Sequence, residues 1–343
     1  MSEILAKVTR GPMDENIHRG DIAVVDVKGD VIAYLGDPDK VTYMRSAAKP
    51  FQTMAVLQSG AHDYFALNEK EIAVMCGSHY AEDFHVMAVL SILYKIGLDE
   101  RYLKCGDSYS LKEKVTMDYV KKGIEKKRVF HNCSGKHAGM LALALKEGYD
   151  VESYLDLNNP VQQKILDIIS YFAEVKKEDI VIGIDGCGTP VHGLPIKDMA
   201  KAYMKLANPS NITDSFVSAA RKVTMVMTEY PEMIAGTGGF CTELMKVTRG
   251  KIVGKLGADG VYCMGIMGEN VGIALKIEDG NSRVLSCAAL ETLKQLGFIN
   301  PEELEKLGEF YIKDNINSQG DKIGEIKPEF ALKKADGHIG TWV

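Results

Sequence analysis

Arg45-Ser46-Ala47-Ala48-Lys49-Pro50 is the stretch around which the rest of the chain is organised. A helix that holds Pro50 unbroken must keep it in its first turn, where a missing N–H is not needed, so the helix begins near Ser46. At an i, i+3 offset Ser46 and Lys49 share one helix face, which brings the lysine amine within hydrogen-bond reach of the serine hydroxyl. That is the smallest arrangement able to activate a nucleophile. Serine is also a common helix cap, and the spacing alone fits that use equally well. The lysine tips the balance, because a cation in the first turn is opposed by the helix dipole and gains only if it is to be neutral and take a proton.

The 343 residues are 46% hydrophobic and 26% charged, enough for a large core in one or two domains. Met1 to Lys7 has no apolar stretch of the kind an export signal needs, and no apolar run approaches the ~20 residues of a membrane span. A net charge of -6 argues against nucleic acid as a partner. Cysteines at 76, 105, 133, 187, 241, 263 and 287 are odd in number and irregularly spaced. A reducing, cytoplasmic setting is therefore expected rather than a disulfide framework.

Asp21 to Val27 and Val31 to Tyr34 read as a hairpin, and the Ser46 helix runs on through Met54 and Leu57 to a stop at Gly60. Glu71 to Met75 reads as a short strand-like apolar run. Helical periodicity dominates from Phe84 to Met227, interrupted by the strand-like Asp179 to Asp185. Strands return over Lys251 to Leu256, Val261 to Met267 and Val271 to Ile277, followed by a helix from Leu285 to Leu296 and a weaker strand at Lys322 to Ile326. The pattern predicts an α+β fold with an antiparallel sheet built from both chain ends, residues 1–60 and 230–343, and a mainly helical region over 61–229.

Several other stretches carry chemistry. Cys76-Gly77-Ser78-His79 and the residues to His85 gather a thiol, a hydroxyl, imidazoles and carboxylates, although a capped loop would look the same. Cys133 and Cys187 each stand in a glycine-containing turn, Cys133-Ser134-Gly135-Lys136-His137 and Asp185-Gly186-Cys187-Gly188. On ligand chemistry they suggest zinc held by both thiolates with His137 or Asp185, against the alternative of two buried structural cysteines. Lys255 ends a strand just before a glycine turn, and Gly236 to Thr242 offers backbone N–H groups to an oxyanion.

Taken in order, the blocks at 45–50, 76–79, 132–140, 185–190 and 255–260 resemble the asparaginase II family of the Rhizobium etli type. The resemblance implies a fold similar to glutaminases and serine β-lactamases, a homodimer, and hydrolysis of L-asparagine to L-aspartate and ammonia. It further implies two Ser-Lys pairs in one site, Ser46 with Lys49 and Ser78 with Lys255. Zinc would be bound by Cys133, Lys136 and Cys187, with Asp185 near a metal-bound water. Arg45 and His79 join Asp185 as candidates for holding the substrate. A glutaminase or other amidohydrolase of this fold, a catalytic zinc, and a non-catalytic zinc-stabilised amino-acid binder are the alternatives. A β-lactamase is disfavoured because Ser-Asp-Asn and Lys-Thr-Gly do not follow the helical region. Ala81 stands where the family pattern has a glycine, and Gly239 lies in a stretch where it has an arginine.

Overall fold

The computed structural model describes residues 1–335. In chain order the strands are β1 (Glu3–Arg10), β2 (Met13–Val25), β3 (Val31–Leu35), β4 (Val41–Tyr43), β5 (Val181–Ile184), β6 (Pro190–Pro195), β7 (Ile252–Gly257), β8 (Val261–Ile266), β9 (Val271–Ile277), β10 (Lys313–Ile316), β11 (Lys322–Pro328) and β12 (Lys333–Lys334). The chain divides into two compact units.

The first unit comprises Met1–Ala47, Leu194–Asn208 and the described chain from Glu243 onward. Its sheet runs β10-β11-β1-β2-β9-β8-β7, with β3 also pairing with β2 and β12 with β3. Every one of these pairings is antiparallel. β8 and β9 are buried at every position, so neither shows the alternation of a half-exposed strand. Each fully buried Ile or Leu there stabilises the fold by roughly 1.5–3 kcal/mol. The Ile196–Ala207 helix packs on β9, β8 and β2, and the Leu285–Gln295 helix on β11, β1 and β8. Gly265 and Gly272 are cross-strand partners. A Cβ on either would overlap the backbone of Tyr203 or Ala200, so the missing side chains let the first helix lie close to the sheet.

The second unit comprises Ala48–Gly193 and Pro209–Thr242. Its centre is the Lys49–Gln58 helix, buried at every position from Lys49 to Leu57. It packs against the Glu69–Cys76, Ser134–Glu147, Pro160–Ala173 and Asp214–Glu229 helices. β5 and β6 form a hairpin, Val181 opposite Gly193 and Ile184 opposite Pro190.

The structure departs from the sequence expectation in three places. The units divide at Ala47 and Thr242 rather than at 60 and 230, and the Ile196–Ala207 helix belongs with the sheet, because its apolar side covers β8 and β9. Glu71 to Met75 is helical: Asn68 and Glu71 form a reciprocal capping box that starts the Glu69–Cys76 helix. The helix at Ser46 begins as a 3-10 turn, Arg45–Ala48, before the α-helix opens at Lys49.

Candidate active site

Ser78 is placed by the end of the Glu69–Cys76 helix. Gly77 leaves that helix with extended backbone, and the Ser78 N–H donates to Ile234 O at 2.7 Å. A Cβ on Gly77 would crowd Met233 O, so the turn accepts only glycine. Gly135 lets the next helix approach equally closely, because any Cβ there would overlap Val74 O. The Ser134–Glu147 helix therefore carries Asn132, Cys133 and Lys136 up to the Gly77-Ser78 turn.

Lys49 opens the central helix and is 1% exposed. Its Nζ lies 2.6 Å from Gly77 O, 3.0 Å from Asn132 O and 3.0 Å from Ser78 Oγ. The two carbonyls can only accept, whereas the Ser78 hydroxyl can also donate. A neutral amine satisfies all three: its two N–H groups go to the carbonyls and its lone pair faces the Ser78 proton. Burial pushes the Lys49 pKa down from 10.5, which favours that neutral form. The lysine partner expected from the i, i+3 spacing was Ser46; the partner in the structure is Ser78.

His79 is not open to a substrate. The Ala81 N–H donates to its Nδ1 at 3.2 Å, its Nε2 lies 2.8 Å from Ser134 Oγ, and the ring is fully buried. Ser134 Oγ in turn donates to Val129 O at 2.9 Å, so the bonding network assigns the Nε2–H tautomer. Burial holds the His79 pKa well below 6.5, and the neutral ring braces the loop behind Ser78.

Lys136 Nζ lies 3.0 Å from Cys187 Sγ and 2.8 Å from Thr189 Oγ1. The β5–β6 hairpin delivers Cys187, its turn closed by Asp185 N–H to Thr189 O at 2.8 Å and by Gly188 at φ +83°. The neighbouring Cys133 and Cys187 thiols act on each other, which lowers the Cys187 pKa and raises that of Cys133 well above its usual value. Burial opposes the charge on Lys136, but the Cys187 and Cys133 sulfurs outweigh it and raise its pKa. Two sulfurs and an amine thus converge in a buried spot, a donor set that suits a thiophilic cation once the protons are displaced. His137 stands beside it, with Nδ1 2.7 Å from Tyr154 Oη and a buried Nε2 that has no hydrogen-bond partner. Among the described residues no group of three or more His, Cys, Asp or Glu side chains has metal-binding geometry; this donor set is two cysteines and a lysine. Asp185 is half-buried on the same turn and acts on Lys136 through its charge.

Ser46, Lys255 and Arg45 belong to the sheet unit. Ser46 is 8% exposed in the 3-10 turn, Lys255 is buried on β7 with its Nζ 2.7 Å from Leu256 O, and Arg45 forms an ion pair with Asp259.

In the glycine-rich stretch at 236–242, three of the N–H groups are already engaged within the protein. Gly236 N–H donates to Thr242 Oγ1, Thr237 N–H to Glu82 Oε2 and Gly239 N–H to Gly236 O. A Cβ on Gly239 would stand 2.7 Å from Ala235 Cβ and 2.9 Å from Tyr80 Oη, so an arginine could not sit there without displacing the Tyr80 ring. The Ser78 N–H is also occupied, by Ile234 O.

What sequence reasoning missed are the backbone acceptors Gly77 O and Asn132 O and the hydroxyl of Thr189. A carbonyl leaves no signature in a residue string, and Thr189 was visible only as one letter of the Asp185 to Pro190 block.

A family model described as L-asparaginase II matches residues 6–328. No curated protein sequence matches the chain. Among solved structures, Mglu in its native form is similar at 17% identity and a TM-score of 0.45, over 83% of this chain and 66% of that one. The chain thus spans slightly less than two thirds of the Mglu length. A Bacillus glutaminase in 4.3 M NaCl is similar at 14% identity and a TM-score of 0.38, over 81% of this chain and 91% of that one.

Proposed function

The chain belongs to the L-asparaginase II family and is an amidohydrolase, and on that premise we propose that it hydrolyses L-asparagine to L-aspartate and ammonia through Ser78. The observation that carries this reading is the 3.0 Å contact between Lys49 Nζ and Ser78 Oγ, with the other two amine contacts made to carbonyls. Neutral Lys49 accepts the Ser78 proton as the serine oxygen attacks the side-chain amide carbon. The C–N bond breaks, the nitrogen takes a proton and leaves as ammonia, and an acyl-serine remains. Water, giving up a proton to the lysine, then attacks the ester and returns aspartate and free Ser78.

The resemblance of the sequence blocks, which pairs Ser46 with Lys49 and Ser78 with Lys255, brings Ser46 and Lys255 into the same reaction as further proton-handling groups, and Arg45 and Asp185 as contacts for the charged ends of the substrate. It also suggests the Rhizobium etli type, a homodimer containing zinc, and the irregular cysteines fit a cytoplasmic setting. Cys133, Lys136 and Cys187 would hold that ion, as the convergence of their donor atoms supports. Bound there, zinc would supply a fixed positive charge for substrate polar groups. Lys136 would ligate as the neutral amine.

The test is ammonia release from L-asparagine and L-glutamine by the wild type and by Ser78→Ala, Ser46→Ala and Cys133→Ala, with zinc content measured alongside. Ser78→Ala is expected to lose at least a hundredfold in kcat. Full activity in Ser78→Ala would move the nucleophile elsewhere. Activity on L-glutamine alone would make the protein a glutaminase, and no release from either amide would leave an amino-acid binder.

A further inference from the structure

Two residues of the sheet unit stand out near the turn from β4 toward Ser46. Arg45 has φ +51° and Asp259 φ +59°, both left-handed and neither a glycine. Such backbone persists only where the surroundings over-determine it. The two side chains form an ion pair across 214 positions of sequence, Arg45 23% exposed and Asp259 70% exposed. An ion pair so open to water adds little to global stability, so its main effect is geometric.

Each partner is anchored at a residue of interest. Asp259 lies in the turn between β7, which carries Lys255, and β8. That turn is tied to β9 by Lys276 Nζ donating to Asp259 O at 2.7 Å and by Ile277 N–H donating to Gly260 O at 2.8 Å. Met44, just before Arg45, brings its carbonyl so near β7 that a Cβ on Gly257 would stand 2.6 Å from it. Beyond Ser46, the Ala47 N–H closes on Met44 O at 3.1 Å and Tyr203 Oη donates to Ala47 O at 2.7 Å. The short turn bearing Ser46 is therefore held at both ends, and the Asp259 carboxylate is what meets the side chain of its strained first residue.

We propose that Asp259 is a positioning residue: by gripping Arg45 it fixes the left-handed turn that presents Ser46 to the strand end that carries Lys255. The inference rests on the proposed membership of Ser46 and Lys255 in the reacting site. It assigns Arg45 a partner within the protein rather than the substrate carboxylate as its first contact.

The experiment compares Asp259→Asn, Asp259→Glu, Arg45→Gln and the double variant Arg45→Gln with Asp259→Asn. The measurements are steady-state ammonia release and hydrogen exchange of the amides at 45–48. In Asp259→Asn, kcat is expected to fall about tenfold with KM for L-asparagine within about twofold, since small misplacements near the chemistry act on rate. Exchange at 45–48 is expected to quicken about tenfold. Asp259→Glu recovers most of the rate, and the double variant is no worse than the single ones, because both changes break one link. Unchanged exchange or unchanged kcat in Asp259→Asn overturns the proposal, and so does a loss confined to KM, which would make the pair a substrate-binding element. If the wild type releases ammonia from no amide, the proposed function fails. The exchange comparison then still decides whether Asp259 holds the turn.

Discussion

Replacing Lys49 with methionine removes the amine and leaves an unbranched apolar side chain one heavy atom shorter. Three contacts go with it: those to Gly77 O, Asn132 O and Ser78 Oγ. The two carbonyls are left without this donor, at about 1–3 kcal/mol each if no water reaches them. Against that stands the relief of no longer burying an amine that is 1% exposed, a cost of comparable size. The net change in stability is thus expected to stay within about 2 kcal/mol, a shift of a few degrees in Tm for a chain of this size. Activity should respond on a different scale. Loss of a positioned base typically costs 10²–10⁴ in rate, about 3–5 kcal/mol of barrier. Ammonia release under saturating L-asparagine and a thermal melt on the same preparation separate the two effects. In the wild type kcat/KM should rise with pH through a value below 10.5, because the base works only when neutral and burial lowers its pKa; Lys49→Met should lose that rise. A variant that keeps more than about a tenth of the wild-type rate would refute the assignment of Lys49 as the base.

Cys187→Ser should lose most of the bound zinc after dialysis, measured by elemental analysis; full retention would rule out the Cys133, Lys136 and Cys187 ligand set. Burial lowers the His85 pKa from 6.5 to about 4, while its ring nitrogens pair with Glu82 N–H and Glu232 O. The native state thus resists protonation that the unfolded chain accepts, so this contribution is full above pH 6.5 and declines as pH falls toward about 4. The total is about 3 kcal/mol, and a urea midpoint followed from pH 7 to pH 4 should show a shallower fall in His85→Asn. Gly239→Ala should cost about 1–3 kcal/mol by urea melting, because its Cβ would press on Ala235 Cβ and Tyr80 Oη.

Strong periodic signals were legible in the sequence. Val261 to Met267 and Val271 to Ile277 appear as β8 and β9, and the Pro50 argument places the central helix within a few residues. β1 was missed because Glu3, Lys7 and Arg10 give its sequence a charged look, and only its pairing with β2 and β11 makes it a strand. Likewise Met13 to Ile17 is an exposed, polar half of β2 that alternation could not reveal. Ser46, Ser78, Lys49 and the two cysteines were singled out by type and spacing, but the contact between Lys49 and Ser78 was not among the expected ones. The i, i+3 rule assumes an α-helix already formed at Ser46; the helix opens at Lys49 instead, and long-range packing of Gly135 on Val74 carries Asn132 up to the lysine's other partner, Ser78. No local rule contains that contact.

The sheet of the first unit also dictates an order of events during synthesis. β2 pairs with β9, and β1 with β11, so the β1–β2 hairpin has neighbours some 250 and 320 residues downstream. Until residues near 277 emerge, Ile22 to Val25 have only β3 beside them and an open edge where β9 will pair. Meanwhile the chain has produced most of the helical unit, whose contacts are largely complete by Thr242. Pairings this distant are slow to close. Synthesis therefore favours the helical unit folding while the N-terminal hairpin waits, and that waiting edge is where a nascent-chain chaperone has most to protect.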